Sequence, residues 1–308
     1  PRRGEMSALF ASPLLVGYLA GFFAAASTSV GALGLLMIAC LSGAHWISPF
    51  RNRAEVVASA CPSFLVAFIP IAWHVRAQSG LVARSYAYLI VWSLLWIAWR
   101  KPSITRVASA VGVPVLILTV SFAGFDWMMA LTPHWVSDAF GLYVVTGAFA
   151  GGVGLLGLLA GVVRNAGNSA ESAISPESSL ALGSVLLTGV ILWAYIAFCQ
   201  FLIIWIGDLP SEIPFYADRS AGAWKWLLFV AVISQFVFPF ILLLSHELKR
   251  HPMRVALVGG IALMGHFLDV AWIALPAAGP SLSVTALAVA FAVFVVFVVY
   301  CTRPHEAA

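Results

Sequence analysis

Charge is what this chain has least of. Only 9% of its 308 residues are Asp, Glu, Lys or Arg, whereas a soluble domain carries roughly 25%. Hydrophobic residues make up 62% and the mean hydropathy is +1.00. No water-soluble fold can cover that much apolar surface, so the bilayer must be the solvent. The net charge of +4 is small and spread over short loops, which gives no footprint for nucleic acid. Clustered cysteine is missing too. Cys40, Cys61, Cys199 and Cys301 all lie in or beside apolar runs, none in a CxxC spacing. Zinc, iron–sulfur and c-type haem sites need such clusters, so these thiols are expected to be structural. A phosphate-binding loop, a GxGxxG turn after a strand and a Ser-His-Asp signature are all absent. A haem b would need two facing histidines. His74 and His266 are expected at different depths, and there is no second pair.

Long apolar runs are what the chain does have. A helix needs about 20 apolar residues to cross the hydrocarbon core. Nine segments qualify: 12–41, 57–74, 86–100, 107–126, 138–163, 179–206, 223–245, 254–275 and 281–301. The third extends backward through ARSYAY. Lipid cannot satisfy free backbone groups, and no segment shows barrel-like alternation. The expected fold is an all-α polytopic membrane bundle of about nine transmembrane helices. It forms one integral domain over 1–308 with no soluble domain. The basic opening PRRGEM precedes a run too long for a cleaved signal, so that run is expected to be a retained span.

Numbering the sides by alternation sets ten cations against six. Arg51, Arg53, Arg100, Lys101, Arg106, Arg164, Lys249, Arg250, Arg254 and Arg303 face Arg2, Arg3, Arg76, Arg84, Arg219 and Lys225. The positive-inside rule puts the larger group in the cytoplasm, with the N-terminus outside and the C-terminus inside. FDWMMALTPHWVSD (125–138) is then an outer-face turn. Pro133 suits a turn, and Trp127 and Trp135 suit the headgroup interface.

Ionisable groups at membrane depth are costly and usually face an interior cavity. His266 and Asp269, in GHFLDVAW, are three apart and share a helix face. They read either as a proton-relay element or as a packing contact. Asp126, at the outer end of the fourth helix, is expected at a depth near that of Asp269. It reads as a relay member or as a solvated interfacial acid. His134 and Asp138 lie nearer the surface, at the mouth of such a path. On the inner side Glu55 begins a helix beside Arg51 and Arg53, where the helix dipole favours an acid. His246 and Glu247 sit at the inner boundary as weaker proton-path candidates. Asp208, Glu212 and Asp218 form a solvated or docking face. Gln200, in ILWAYIAFCQFLIIW, is an amide that must find partners, either as interhelical glue or lining a wet path. The glycines of GAFAGGVGLLG (147–157) have the spacing of close helix approach.

Five stretches together resemble a known family: GYLAGFFAAASTSVGALGLLMIACLSGAHW (17–46), FRNRAEVVASACPSFLVAFIPIAW (50–73), TVSFAGFDWMMALTPHWVSDAFGLYVVTG (119–147), LWAYIAFCQFLIIWIGDLPSEIPFY (192–216) and MGHFLDVAWIALP (264–276). They look like the F subunit of alternative complex III, the quinol:cytochrome c oxidoreductase, within the wider polysulfide-reductase, NrfD-like group. Two departures stand out. The family is expected to have one more span, and the chain begins where the family's second helix would. His45 stands in SGAHW where an arginine is expected.

The resemblance implies an assembly in a bacterial cytoplasmic membrane. This chain would bind no redox cofactor and would sit among lipids beside a homologous C-type membrane subunit. An iron–sulfur subunit and c-type cytochrome subunits would carry the clusters and haems, with a cytochrome c or a haem–copper oxidase as acceptor. Quinol oxidation would belong to the whole complex, with this subunit supporting assembly and a transmembrane proton path. The alternatives are a direct quinol-binding NrfD-like catalytic subunit and a standalone secondary transporter.

Overall fold

The computed structural model describes residues 12–132, 135–164, 174–279 and 281–303. These residues form an all-α polytopic membrane bundle with no strand among them. Nine segments are long and apolar enough to cross a membrane. They are α1 (Pro13–Ser42), α2 (His45–His74), α3 (Ser79–Trp99), α4 (Thr105–Leu131), α5 (Phe140–Gly161), α6 (Pro176–Gly207), α7 (Trp224–Leu244), α8 (Pro252–Ala278) and α9 (Val284–Thr302). The third does begin well before residue 86. A short helix, Ile213–Arg219, lies between α6 and α7.

Local chemistry sets the ends. Proline opens α1, α6 and α8 at the first turn, where its missing N–H costs nothing. The Ser175 and Ser283 hydroxyls accept from the backbone N–H of Ser178 and Ala286, capping α6 and α9. Gly43 closes α1 in the left-handed region at φ 64°, a conformation a Cβ disfavours. Prolines break α2 into pieces at Pro49, Pro62 and Pro70. Glu55 is therefore not in a first turn. It is the fifth residue of the piece Arg51–Ala58, and its carboxylate takes Arg51 Nε at 2.8 Å one turn back.

Inside α7, residues Ile233–Val237 form a π-turn. Pro239 lies four residues after Gln235. It has no N–H for the Gln235 carbonyl, and its ring would press on that oxygen in an α-register. The wider turn removes the conflict.

Helices α1, α5 and α8 are buried on most faces and form the centre. They touch through glycine: a Cβ on Gly152 would fall 2.6 Å from the Gly31 carbonyl carbon, and one on Gly154 would fall 3.0 Å from the Gly259 carbonyl oxygen. The spacing in 147–157 does serve close helix approach. Helices α3, α6, α7 and α9 bury one stripe each and turn apolar residues such as Ile97, Phe198, Phe229 and Val296 outward.

Contacts sort the connections into two groups, as alternating spans require. At the end that carries residues 128–139, here the turn end, Arg84 reaches Asp126 and Arg219 reaches Thr132. At the opposite end Arg51 lies 5.2 Å from the Trp99 ring, and the Ser179 hydroxyl donates to the Lys249 carbonyl.

Candidate functional site

Buried polar side chains are few, and several converge between α1, α5, α6 and α8. His266 and Asp269 are one turn apart on α8, 2% and 3% exposed. They share a face but no hydrogen bond joins them. The imidazole Nε2 meets Ser27 Oγ of α1 at 2.9 Å, while the Tyr143 hydroxyl of α5 donates to the Asp269 carboxyl. The ring lies against the glycines of α5. A Cβ on Gly151 would come 2.6 Å from its Cδ2, and one on Gly147 would come 3.5 Å from its Nδ1. Trp193 of α6 flanks the Tyr143 ring, centroids 6.1 Å apart, and turns its indole toward the Asp269 carboxyl.

Two amides extend the cluster. Gln200, two turns from Trp193 toward the turn end, accepts from Ser137 at 2.9 Å. Its Nε2 is buried without a hydrogen-bond partner among the described residues. Gln235, in the π-turn of α7, is fully buried, and neither its Oε1 nor its Nε2 has a hydrogen-bond partner among the described residues. The same holds for His266 Nδ1.

The short helix Ile213–Arg219 covers the turn end. Phe215 stacks on Trp135 at 3.8 Å and meets Trp272 edge-on at 5.9 Å. Arg219 is 3% exposed and donates to three oxygens: Phe215 O, Thr132 Oγ1 and Ile273 O. Its cation thus meets the carbonyl end of α8, where the helix dipole favours it. Burial draws the guanidinium down to about 10, still charged at neutral pH. Burial raises the Tyr216 phenol, and the charge of Asp269 adds to the effect, so Tyr216 lies within electrostatic reach of Asp269.

Asp126 belongs to a different site. Arg84 grips its two oxygens at 2.8 and 2.9 Å, and the Tyr88 hydroxyl adds a bond at 2.9 Å. Arg84 and Asp126 border a cleft of about 470 Å³ with Gln78 and Ser79. No hydrogen bond links Asp126 to Asp269 and they share no hydrogen-bond partner among the described residues. The tryptophans of the turn are corrected as well. Trp127 does not face headgroups. It is buried, donates to Ser85 Oγ at 2.8 Å, and packs among Phe22, Phe23, Phe68, Tyr88 and Trp92. Trp135 is buried under Phe215. In both places protein covers the ring before lipid can reach it.

The remaining candidates are scattered. Asp138 is exposed in the turn before α5, and His134 lies outside the described residues. His246 and Glu247 are exposed neighbours 3.9 Å apart. No buried polar side chain follows Ser29 on α1 or Thr146 on α5, or precedes His266 on α8, among the described residues. The glycine contacts fill that half.

Comparison with known proteins finds no match: no family model matches the chain, and no curated protein matches it. The site stands on its own geometry. A carboxyl, a phenol and an imidazole in a sealed apolar bundle can hold a proton and hand it across hydrogen bonds. On the α5 side the imidazole is packed tightly, since even a Cβ on Gly151 would collide with it. Among the described residues no three His, Cys, Asp or Glu side chains gather as metal ligands.

Sequence reasoning missed Tyr143, Ser27, Trp193, Gln235 and Arg219. Gln235 carried the same signal as Gln200, a lone amide in an apolar span. Tyr143 and Ser27 carried none, because a hydroxyl is commonplace in a span.

Proposed function

We propose that this chain is an integral, non-redox subunit of a quinol-oxidising membrane complex of the alternative complex III type, in a bacterial cytoplasmic membrane. It lies beside a homologous C-type subunit, an iron–sulfur subunit and c-type cytochrome subunits. Its turn end faces the periplasm and its first described residues start there. Its role is to support assembly and to handle protons in the periplasmic half of the membrane. The supporting sequence features are FDWMMALTPHW, the WAY…Q…IIW…LP.EIP run and H..LD..W, taken together.

The observation that carries the proton role is the enclosed Asp269–Tyr143 pair with His266 one turn deeper. An acid buried at membrane depth is expensive, and packing alone would be served as well by apolar residues. Asp269 takes a proton from the deeper group and releases it past Tyr216 toward the turn end. On α1, α5 and α8 the opposite half offers no buried polar step among the described residues, so the path is a half-path, open to one side only. Glu55, His246 and Glu247 then anchor helix ends at the cytoplasmic surface.

Purification of the chain from its native membrane tests the assembly, with copurifying haem as the readout. Haem-bearing partners are expected, and isolation of the chain alone would favour a standalone transporter. In the assembled complex Asp269→Asn is expected to slow quinol-dependent turnover by about tenfold or more, the typical scale for losing a proton-transfer group. Unchanged turnover and unchanged proton release would remove the half-path and leave the assembly standing.

A further inference from the structure

The π-turn of α7 delivers a buried amide to the flank of the His266–Asp269 face. On an α-helix successive side chains are separated by about 100°, so Asp269 projects between Gly265 and His266 on α8. The Gln235 backbone packs directly on Gly265, where a Cβ would meet the Gln235 Cα and Cβ. Gln235 is thus level with His266 and one turn deeper than Asp269. It brings two donors and an acceptor to a place where none of the described residues meets them. His266 Nδ1, on the same level, is also unmet. Its Nε2 faces Ser27, and the Asp269 carboxyl is held by Tyr143.

Buried polar atoms without partners are rare in folded proteins, and those that persist are met by ordered water. A water needs two to four polar partners, and this face supplies them: the Gln235 amide, His266 Nδ1 and the Asp269 carboxyl. A single unmet atom could be a local accident of packing. Three unmet atoms on two neighbouring side chains, one of them set in a π-turn, are a built site.

We propose that Gln235, His266 and Asp269 together hold internal water, and that this water is the connection between the imidazole and the carboxyl that no direct hydrogen bond supplies. The site rests on the proton half-path of the preceding section for its purpose and adds Gln235 as the residue that positions the water. Pro239 has a structural part in it, since it imposes the π-turn that turns Gln235 to this face. The groups facing the site are Ser27 and Thr28 from α1, Tyr143 and Thr146 from α5, and Trp193 from α6.

Radiolytic hydroxyl-radical labelling of the full chain in its native membrane complex tests this, read residue by residue by mass spectrometry. The radicals form from water in place, so a buried side chain is oxidised only if water lies beside it. His266 and Trp193 are expected to label in the wild type, whereas Trp92, 1% exposed and bonded to Thr119, stays unlabelled as the dry control. Gln235→Leu is expected to lower labelling of His266 by about fivefold or more, because the water loses its principal partner, while Trp92 stays at background. Gln235→Glu, which keeps an acceptor, is expected to restore it. Labelling of His266 at the Trp92 level in the wild type would mean a dry site and overturn the proposal. Equal labelling in wild type and Gln235→Leu would remove Gln235 from it. Should Gln235→Leu fail to fold, the wild-type comparison of His266 with Trp92 still decides. A dry site would leave the assembly untouched, whereas a wet site in a chain that carries no haem partners would remove the assembly and keep the water.

Discussion

At the scale of residues, the chain treats two acids in opposite ways. Asp126 is at a cleft edge with both oxygens engaged by an arginine whose own side chain is 56% exposed. Such a pair is worth little, about 1 kcal/mol or less. Asp269 has no cation and lives on a phenol. Removing one partner of a buried polar pair leaves the other with its full desolvation cost, whereas removing both can be nearly neutral. Tyr143→Phe is therefore expected to destabilise the solubilised protein by about 1–3 kcal/mol. Asp269→Leu in the same chain should recover much of that loss. Thermal unfolding of the two single variants and the double variant checks the cycle, and additive losses would show that the two side chains do not act as a pair.

At the scale of elements, the deciding feature is glycine on α1, α5 and α8. A Cβ on Gly152 would meet backbone of α1 on three atoms, which no rotamer change can relieve, while one on Gly34 would meet only Leu116 Cδ1 at 4.0 Å. Gly152→Ala is expected to cost more than about 2 kcal/mol, since helices forced apart lose packing along their length. Gly34→Ala should be neutral or gain about 0.5–1 kcal/mol from reduced backbone freedom. Yield and melting temperature of the two variants separate them, and equal behaviour would mean that the central helices are not held by close approach. The elements themselves were legible in the sequence, because a 20-residue apolar run and a proline or serine at its start are local signals. The interiors were less so. The apolar ring of Trp127 suits either headgroups or an aromatic core, and only the folded positions of Phe22, Phe68 and Trp92 decide between them. His266 and Asp269 stood out because charge in a span is rare. Their partners Ser27 and Tyr143 did not, and the joining of α1 to α8 across 239 residues of sequence leaves no local trace.

At the scale of the whole molecule, polarity is divided between the two halves of the bundle. The half at the turn end holds the buried carboxyl, phenol, imidazole and amides. The other is closed by small residues on α1, α5 and α8, and alternation of the spans assigns it the larger share of the cations, ten of the sixteen. In the proposed orientation, which rests on the positive-inside rule, the cation-rich end stays in the cytoplasm, the polar half lies on the periplasmic side, and a proton released from Asp269 would leave there. Single cysteines at the exposed positions Ser220 and Ser103, placed in a chain whose four native cysteines are replaced, test this with a membrane-impermeant maleimide. Ser220→Cys is expected to label in intact cells, and Ser103→Cys only after the membrane is opened. The reverse pattern would invert the bundle, and the half-path would then take protons from the cytoplasm instead of releasing them outside. The fold, the sealed half and the Asp269–Tyr143 pair would all stand unchanged, so the sign of proton movement rests on the loop cations and not on the site.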